Sequence, residues 1–166
     1  MMLRVSCMML LMLSSCLPAL AAAPAFPELR PGLHAGGQPS AAQLRELAGQ
    51  GVTTVIDLRQ PGEDRGFDET AVAESLGLRY VRIPVADADD LQAANVRAVY
   101  NALQQSQGPV LLHCGSGNRA GAVLTLVNAQ HENAGATQAL ELGRQAGLRS
   151  LEAATRERLG VADTVP

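Results

Sequence analysis

The sequence predicts an α/β fold, a mostly parallel central sheet of about four to five strands flanked by helices. Three observations predict it. Short β-branched apolar runs such as Val52 to Leu58 alternate with segments whose apolar residues recur at helical spacing. Glycine- and proline-bearing polar stretches separate the two kinds of segment. One junction, from Pro109-Val110-Leu111-Leu112 through a glycine-rich stretch into Val123, Leu124, Leu126 and Val127, reads as strand, loop and helix in succession. The anion-binding loop would then lie between the last core strand and a helix.

The elements follow in order. Leu33-His34-Ala35 is a short strand, followed by the turn Gly36-Gly37-Gln38-Pro39. Ser40-Ala41-Ala42-Gln43 is a capping box that opens a helix with Leu44, Leu47 and Ala48 on one face, ended by Gly49 or Gly51. Val52 to Leu58 is a strand buried on both faces, and Arg59 to Gly66, containing Pro61-Gly62, is the loop at its carboxyl end. Asp68 to Leu76 is a helix stopped by Gly77, and Leu78 to Pro84 is the next strand. Val85 to Asp90 is an acidic loop, and Asn95 to Gln105 is a helix with Val96, Val99, Ala102 and Leu103 apolar. Two further helices, Thr137 to Ala146 and Ser150 to Leu159, complete the chain. In such folds ligands bind at the carboxyl ends of the strands, where the loops Asp57 to Gly66, Val85 to Asp90 and Cys114 to Arg119 are expected to converge.

The domain organisation is simple. Residues 1–23 read as a secretory signal and the start of a linker, 24–32 as linker, 33–160 as the folded domain and 161–166 as a tail. Arg4 is the only charge before Glu28, Val5 to Leu13 is mostly apolar, and Ala19-Leu20-Ala21 is an A-x-A cleavage pattern. The apolar stretch is short for a bilayer span and is broken at Ser14, Ser15 and Pro18. The expected compartment is periplasmic or extracellular. The alternative is a lipoprotein signal at Leu13-Ser14-Ser15-Cys16, with Cys16 lipidated.

Cleavage after Ala21 removes Cys7 and Cys16 and leaves Cys114 alone, so no internal disulfide is possible in the mature chain. No cofactor or metal is expected. Removal of Arg4 leaves 12 basic residues against 16 acidic ones, a net charge near −4 with no nucleic-acid footprint. The chain contains no lysine, so every arginine needs its own positional argument.

The chemistry lies in His113-Cys114-Gly115-Ser116-Gly117-Asn118-Arg119-Ala120-Gly121. A glycine-rich loop that opens a helix turns backbone N–H groups toward one concavity, and the helix dipole adds positive potential there. Gly115, Ser116, Gly117, Asn118, Arg119 and Ala120 are the candidate phosphate-binding residues. A cysteine placed in such a field loses its proton more readily than a free thiol. Arg119 can grip an oxyanion through two parallel hydrogen bonds. If the strand persists to that point, His113 points away from Cys114; it either braces the loop by hydrogen bonds or is satisfied in the core, and is not expected to be the general base. Phosphoryl transfer to Cys114 also needs a carboxylic acid to protonate the leaving oxygen. Asp87 follows the preceding strand by a few residues and can reach the strand ends. Asp89 and Asp90 could substitute, although a solvated turn and a helix cap suit both.

This constellation resembles the signature of the cysteine-dependent protein tyrosine and dual-specificity phosphatases. A closer similarity is to the bacterial β-lactamase-hydrolase-like phosphatase-like domains, carried by Gly36-Gly37-Gln38-Pro39-Ser40, by Val55-Ile56-Asp57-Leu58-Arg59 with Glu63, and by Tyr80-Val81-Arg82-Ile83-Pro84-Val85. The resemblance spans about Leu33 to Val127. It implies the phosphatase α/β fold, Cys114 as nucleophile, Arg119 as phosphate clamp and Asp87 as acid, with Asp57, Arg59 and Glu63 in supporting positions at the rim or bracing the loop. The partner implied is a phosphorylated protein or a small-molecule phosphate ester, with no stable membrane insertion of the mature domain.

Two departures from the commoner signature are visible. Four residues, not five, separate Cys114 from Arg119, a spacing shared with rhodanese-type sulfurtransferases. Ala120 stands where the phosphatases carry a Ser or Thr hydroxyl that assists departure of the cysteine sulfur, a role left to Ser116 if anything fills it. A sulfur carrier and a non-catalytic anion-binding module are therefore the alternatives to a phosphatase. Among the aromatic residues Phe26, Phe67, Tyr80 and Tyr100, Phe67 is the one expected near the site rim.

Overall fold

The computed structural model describes residues 26–161 of the chain. The expected leader, with Cys7 and Cys16, lies outside the described residues, as does 162–166 of the expected tail. The elements are β1 (Glu28–Arg30), β2 (Leu33–Gly36), α1 (Ala41–Gly49), β3 (Thr54–Asp57), α2 (Glu69–Ser75), β4 (Arg79–Arg82), α3 (Ala93–Gln104), β5 (Val110–His113), α4 (Asn118–His131), α5 (Ala136–Gln145) and α6 (Glu152–Leu159).

The five strands form one sheet in the order β1-β2-β5-β3-β4. β2, β5, β3 and β4 run parallel, and β1 lies antiparallel on β2 at the edge. The mostly parallel sheet expected from the alternation of elements is therefore present. One segment differs: Glu28–Arg30, within the stretch read as linker, is a strand. Its three residues carry no alternating pattern of their own, and pairing with β2 selects them. The buried strands are also shorter than their apolar runs, since Val52 and Leu78 complete the core from the turns that precede β3 and β4.

The sheet separates two cores by the two-residue alternation of side chains. Val55 and Leu111 face α1 and α2, where they pack with Leu44, Leu47, Ala73 and Leu78. Ile56 and Leu112 face the other way and pack with Val96, Val99, Val123, Leu124 and Val127. α4 is buried from Ala120 to Asn128, which explains why its apolar residues are not confined to one stripe. Helix α1 begins with the predicted reciprocal cap, Ser40 Oγ accepting from Gln43 N and Gln43 Oε1 from Ser40 N.

This register positions the site. Asp57 pairs with Arg82 on one side and with His113 on the other, and Gly36 pairs with His113. Four parallel strands thus end level, and the segments after Gly36, Asp57, Arg82 and His113 leave from one edge of the sheet. Among the described residues, no helix is long and apolar enough to cross a membrane.

Candidate active site

Alternation fixes the first two side chains of the site. Cys114 continues the Leu112 side of β5 and is fully buried against the α4 core, whereas His113 continues the Leu111 side, as Asp57 continues that of Val55. The histidine and cysteine therefore diverge, as the strand pattern predicts. The loop then turns at Gly117, whose φ of +90° suits a glycine; a Cβ there would stand 2.7 Å from Ala146 O. Gly117 N–H donates to Cys114 Sγ at 3.2 Å. α4 starts at Asn118 with no side-chain cap, so the N–H groups of its first turn are left for a ligand to satisfy.

Not every predicted phosphate-binding side chain faces the loop. Asn118 turns outward and fastens the α5–α6 connection, with Oδ1 accepting from Arg149 N (2.8 Å) and Leu151 N (3.3 Å) and Nδ2 donating to Ser150 Oγ (2.8 Å). Its contribution to an anion is limited to its backbone N–H. Ser116 is exposed and its backbone bridges Gly37 across the loop, while Ala120 is fully buried in the first turn of α4.

Arg119 reaches back over the loop. A Cβ at Gly115 would lie 3.3 Å from Arg119 Nη2 and 3.8 Å from Glu63 Oε2. The guanidinium is bidentate on the Glu63 carboxylate, at 2.6 Å (Nη1 to Oε1) and 2.8 Å (Nη2 to Oε2), and Nη1 also donates to Val85 O at 2.9 Å. Glu63 is the chief cause of the raised Arg119 pKa, against burial and with help from the Cys114 sulfur. Reciprocally, the Arg119 bonds hold the Glu63 carboxyl far below the usual carboxylate range despite the opposing effect of burial. Arg59 donates to Glu63 Oε2 at 3.0 Å, so Arg119 and the buried Arg59 share one carboxylate.

Asp87 lies on the 83–92 segment, two residues after the carbonyl that receives Arg119, and is exposed. Its Oδ1 accepts from Asp89 N at 3.0 Å. Asp90 does not cap α3 as expected: the N-cap is Gln92, without a side-chain bond, and Asp90 Oδ2 instead closes the loop by accepting from Ala86 N at 2.8 Å. Phe67 is corrected as well. It packs inward with Val72 and Tyr80 against the α1–α2 core, because that apolar pocket lies immediately beneath it.

Beneath His113 is a buried ionic network. Glu69, at the start of α2, places Oε1 2.9 Å from His113 Nε2 in a less than ideal hydrogen-bond direction; Nε2 also lies 3.9 Å from Asp57 Oδ1, and neither Glu69 Oε1 nor Nε2 has a hydrogen-bond partner of good geometry. Arg65 spans Asp57 Oδ2 (2.6 Å) and Glu69 Oε2 (3.7 Å), and Tyr80 donates to Asp57 Oδ2 at 2.7 Å. Burial works against the Asp57 charge, but Tyr80, His113, the Arg59 N–H and Arg65 outweigh it and the carboxyl lies below its ordinary 3.8. The Tyr80 phenol is raised, first by burial and then by that carboxylate.

A sign follows for stability. Because the folded Asp57 pKa lies below the unfolded one, its contribution is complete above that ordinary value and is lost as pH falls through the folded value. Asp57→Asn leaves Arg65 without its closest partner, and chemical unfolding at pH 7 is expected to show a loss of about 3–5 kcal/mol. The gap to wild type should narrow when the measurement is repeated near pH 3; an unchanged gap contradicts the assignment.

Asp57, Glu69 and His113 also bring potential ligand atoms within 4.8 Å of one another, the arrangement to consider for a metal. Arg65 already pairs with both carboxylates, and Asp57 Oδ1 accepts from Arg59 N at 2.8 Å. These groups therefore fit a buried ion network better than a divalent-cation site.

The residues that sequence reasoning missed are Gln38, Arg65, Glu69 and Tyr80. Gln38 was legible only as part of a turn and a resemblance. Glu69 read as an ordinary first-turn helix residue, and nothing local announces that the β3–β5 register brings it to His113.

Comparison with known proteins agrees with this geometry. A family model described as "PTP-NADK: DSP-PTPase phosphatase fused to NAD+ Kinase" matches residues 28–159. The chain is 34% identical over 92 residues to the beta-lactamase hydrolase-like protein of Agrobacterium fabrum, covering 53% of this chain and 21% of that protein. It is 35% identical over 104 residues to human dual specificity protein phosphatase 26, covering 60% of this chain and 48% of that one. The chain thus spans less than half the length of either relative. Among solved structures, a candidate phosphatase of Neisseria meningitidis z2491 aligns with a TM-score of 0.66 and 26% identity over 80% of this chain and 94% of that one. P. aeruginosa TpbA aligns with a TM-score of 0.64 and 25% identity, covering 82% and 88%.

Proposed function

Since the chain belongs to the PTP-NADK family of DSP-PTPase phosphatases, we propose that it is an exported cysteine-dependent hydrolase of phosphate monoesters, of the protein tyrosine or dual-specificity type. One observation carries the reading: Cys114 Sγ sits at the open N-terminus of α4, bonded to Gly117 N–H, with the Arg119 guanidinium beside it.

The Cys114 thiolate attacks phosphorus, the bond from phosphorus to the ester oxygen breaks, and its electron pair leaves on that oxygen. Asp87 supplies the proton. The loop amides and Arg119 hold the three equatorial oxygens as charge spreads over them. Water then attacks the phosphocysteine, giving its proton to the Asp87 carboxylate; the phosphorus–sulfur bond breaks, inorganic phosphate is released, and the thiolate and the Asp87 acid are restored. Arg119 must shift from one carboxylate to share itself with the phosphate, which has the same bidentate geometry as its resting partner Glu63. Among the described residues, Phe67 and Tyr80 are packed against the α1–α2 core, Phe26 is buried and Tyr100 stacks on His131. The substrate is a phosphorylated protein or a small phosphate ester.

Export rests on the apolar run and cleavage pattern in the first 23 residues, with lipidation at Cys16 as the alternative form of the same reading. The assay is hydrolysis of an aryl phosphate by the reduced protein. The four-residue spacing from Cys114 to Arg119 favours a second reading, sulfur carriage: a persulfide on Cys114 after thiosulfate treatment, with no ester hydrolysis, selects it. Ala120 favours a third, a non-catalytic anion module; tight vanadate binding without hydrolysis of any ester tested selects that.

A further inference from the structure

The two ends of the Cys114 loop are joined by side chains as well as by the loop itself. At one end His113 meets Glu69 Oε1 at 2.9 Å, and Gln38 Nε2 donates to Glu69 Oε2 at 2.9 Å. The other face of the same amide, Gln38 Oε1, accepts from Arg59 Nη1. Arg59 Nε donates to Glu63 Oε2 at 3.0 Å, and Glu63 holds both terminal nitrogens of Arg119 at the loop's other end. Gln38 also grips the loop between those ends, its backbone N–H donating to Gly115 O at 3.0 Å next to the Gly37–Ser116 bridge.

A primary amide suits this position because it has a donor for the carboxylate and an acceptor for the guanidinium. A carboxylate here would oppose Glu69, and an apolar side chain would leave both neighbours short of a bond. Gln38 is only half buried, so its amide is not required to fill a core. On the phosphatase reading above, we propose that Gln38 is a positioning residue, whose amide couples Glu69–His113 to Arg59–Glu63 and so sets the resting orientation of the Arg119 phosphate clamp.

The proposal makes Gln38 act through Glu63. The test is a double-mutant cycle on the full chain with Gln38→Met, which keeps the length of the side chain and removes its amide, with Glu63→Gln, and with both. Two quantities are read: the dissociation constant for orthovanadate, which needs no turnover, and kcat and KM on an aryl phosphate. Each single substitution is expected to weaken vanadate binding by about tenfold, raising KM and lowering kcat together. The double variant is expected to bind no more than about threefold worse than the weaker single, because both changes cut one chain of contacts. Vanadate affinity unchanged in Gln38→Met overturns the proposal, and so do losses that multiply in the double variant. A Gln38→Met protein that fails to fold also overturns it, since that assigns Gln38 to the fold and not to the clamp. The underlying reading fails differently: a wild-type protein that binds vanadate yet hydrolyses no ester removes the phosphatase and leaves the vanadate cycle to decide the role of Gln38.

Discussion

Cys114→Ser is expected to reduce aryl-phosphate hydrolysis at least about a thousandfold while leaving the fold and the anion cradle in place. Serine replaces sulfur with a smaller atom in a fully buried position, and its hydroxyl can accept the Gly117 N–H that now bonds to Sγ. The open first turn of α4 and the Arg119 guanidinium are untouched by the change. What is lost is the thiolate: an alcohol in the same place is overwhelmingly protonated at neutral pH, and among the described residues no base lies beside it, because His113 faces the opposite side of the sheet and is committed to Glu69. Affinity for inorganic phosphate, which forms no bond to the sulfur, should therefore stay within a few-fold of wild type. Hydrolysis at wild-type rates by Cys114→Ser would move the reaction elsewhere in the chain. Measurements belong under reducing conditions, since a thiolate oxidises readily.

Arg119→Ala is expected to lower kcat/KM by about a hundred- to a thousandfold. Two effects act in the same direction. The pair of parallel donors is lost, which loop amides cannot replace because they lie below the phosphate and not beside it. The Glu63 carboxylate also loses both of its Arg119 bonds, keeping only Arg59 and Gln60 N–H, and leaves a less compensated negative charge next to Gly115 where the substrate must enter. Arg119→Lys should recover only a minor part of the loss, because an ammonium is a point donor and cannot bridge a carboxylate and then a phosphate in the same planar way. Steady-state kinetics on the three proteins decide the point; Arg119→Lys with wild-type kcat/KM would show that charge alone is sufficient and that the bidentate geometry is incidental.

The parts of the molecule that were legible in the sequence are those governed by near neighbours. The Ser40–Gln43 cap, the β-branched run into Asp57 and the glycine-rich turn after Cys114 each specify their own backbone, and all three are found where the pattern places them. The divergence of His113 from Cys114 was legible for the same reason, since a strand alternates. The side-chain partners were not. Asn118 belongs to the loop by sequence, yet its amide serves Arg149, Ser150 and Leu151, which reach it only after α5 has folded back over α4. Glu69 and Gln38 come together beneath the loop because β2 and β3 flank β5, a sheet order that no spacing reveals. Phe67 was expected at the rim for being aromatic in a polar loop, and the apolar pocket below it proved the stronger influence. Asp90 likewise closes its own loop through Ala86 N.

On the proposed mechanism phosphate is transferred to Cys114. Rapid mixing of the reduced protein with an aryl phosphate, followed by acid quenching and peptide mass spectrometry, would capture that transfer. Ala120 offers no hydroxyl to help the sulfur leave, so breakdown of the intermediate should be slower than its formation. The expected result is a burst of aryl alcohol of about one equivalent per chain before the slower steady phase, with a phosphate-sized mass increment on the peptide that carries Cys114. Steady release of aryl alcohol with no burst would show only that breakdown is not the slow step. Hydrolysis that proceeds while the quenched Cys114 peptide stays unmodified at every time sampled, and that persists in Cys114→Ser, would contradict the account.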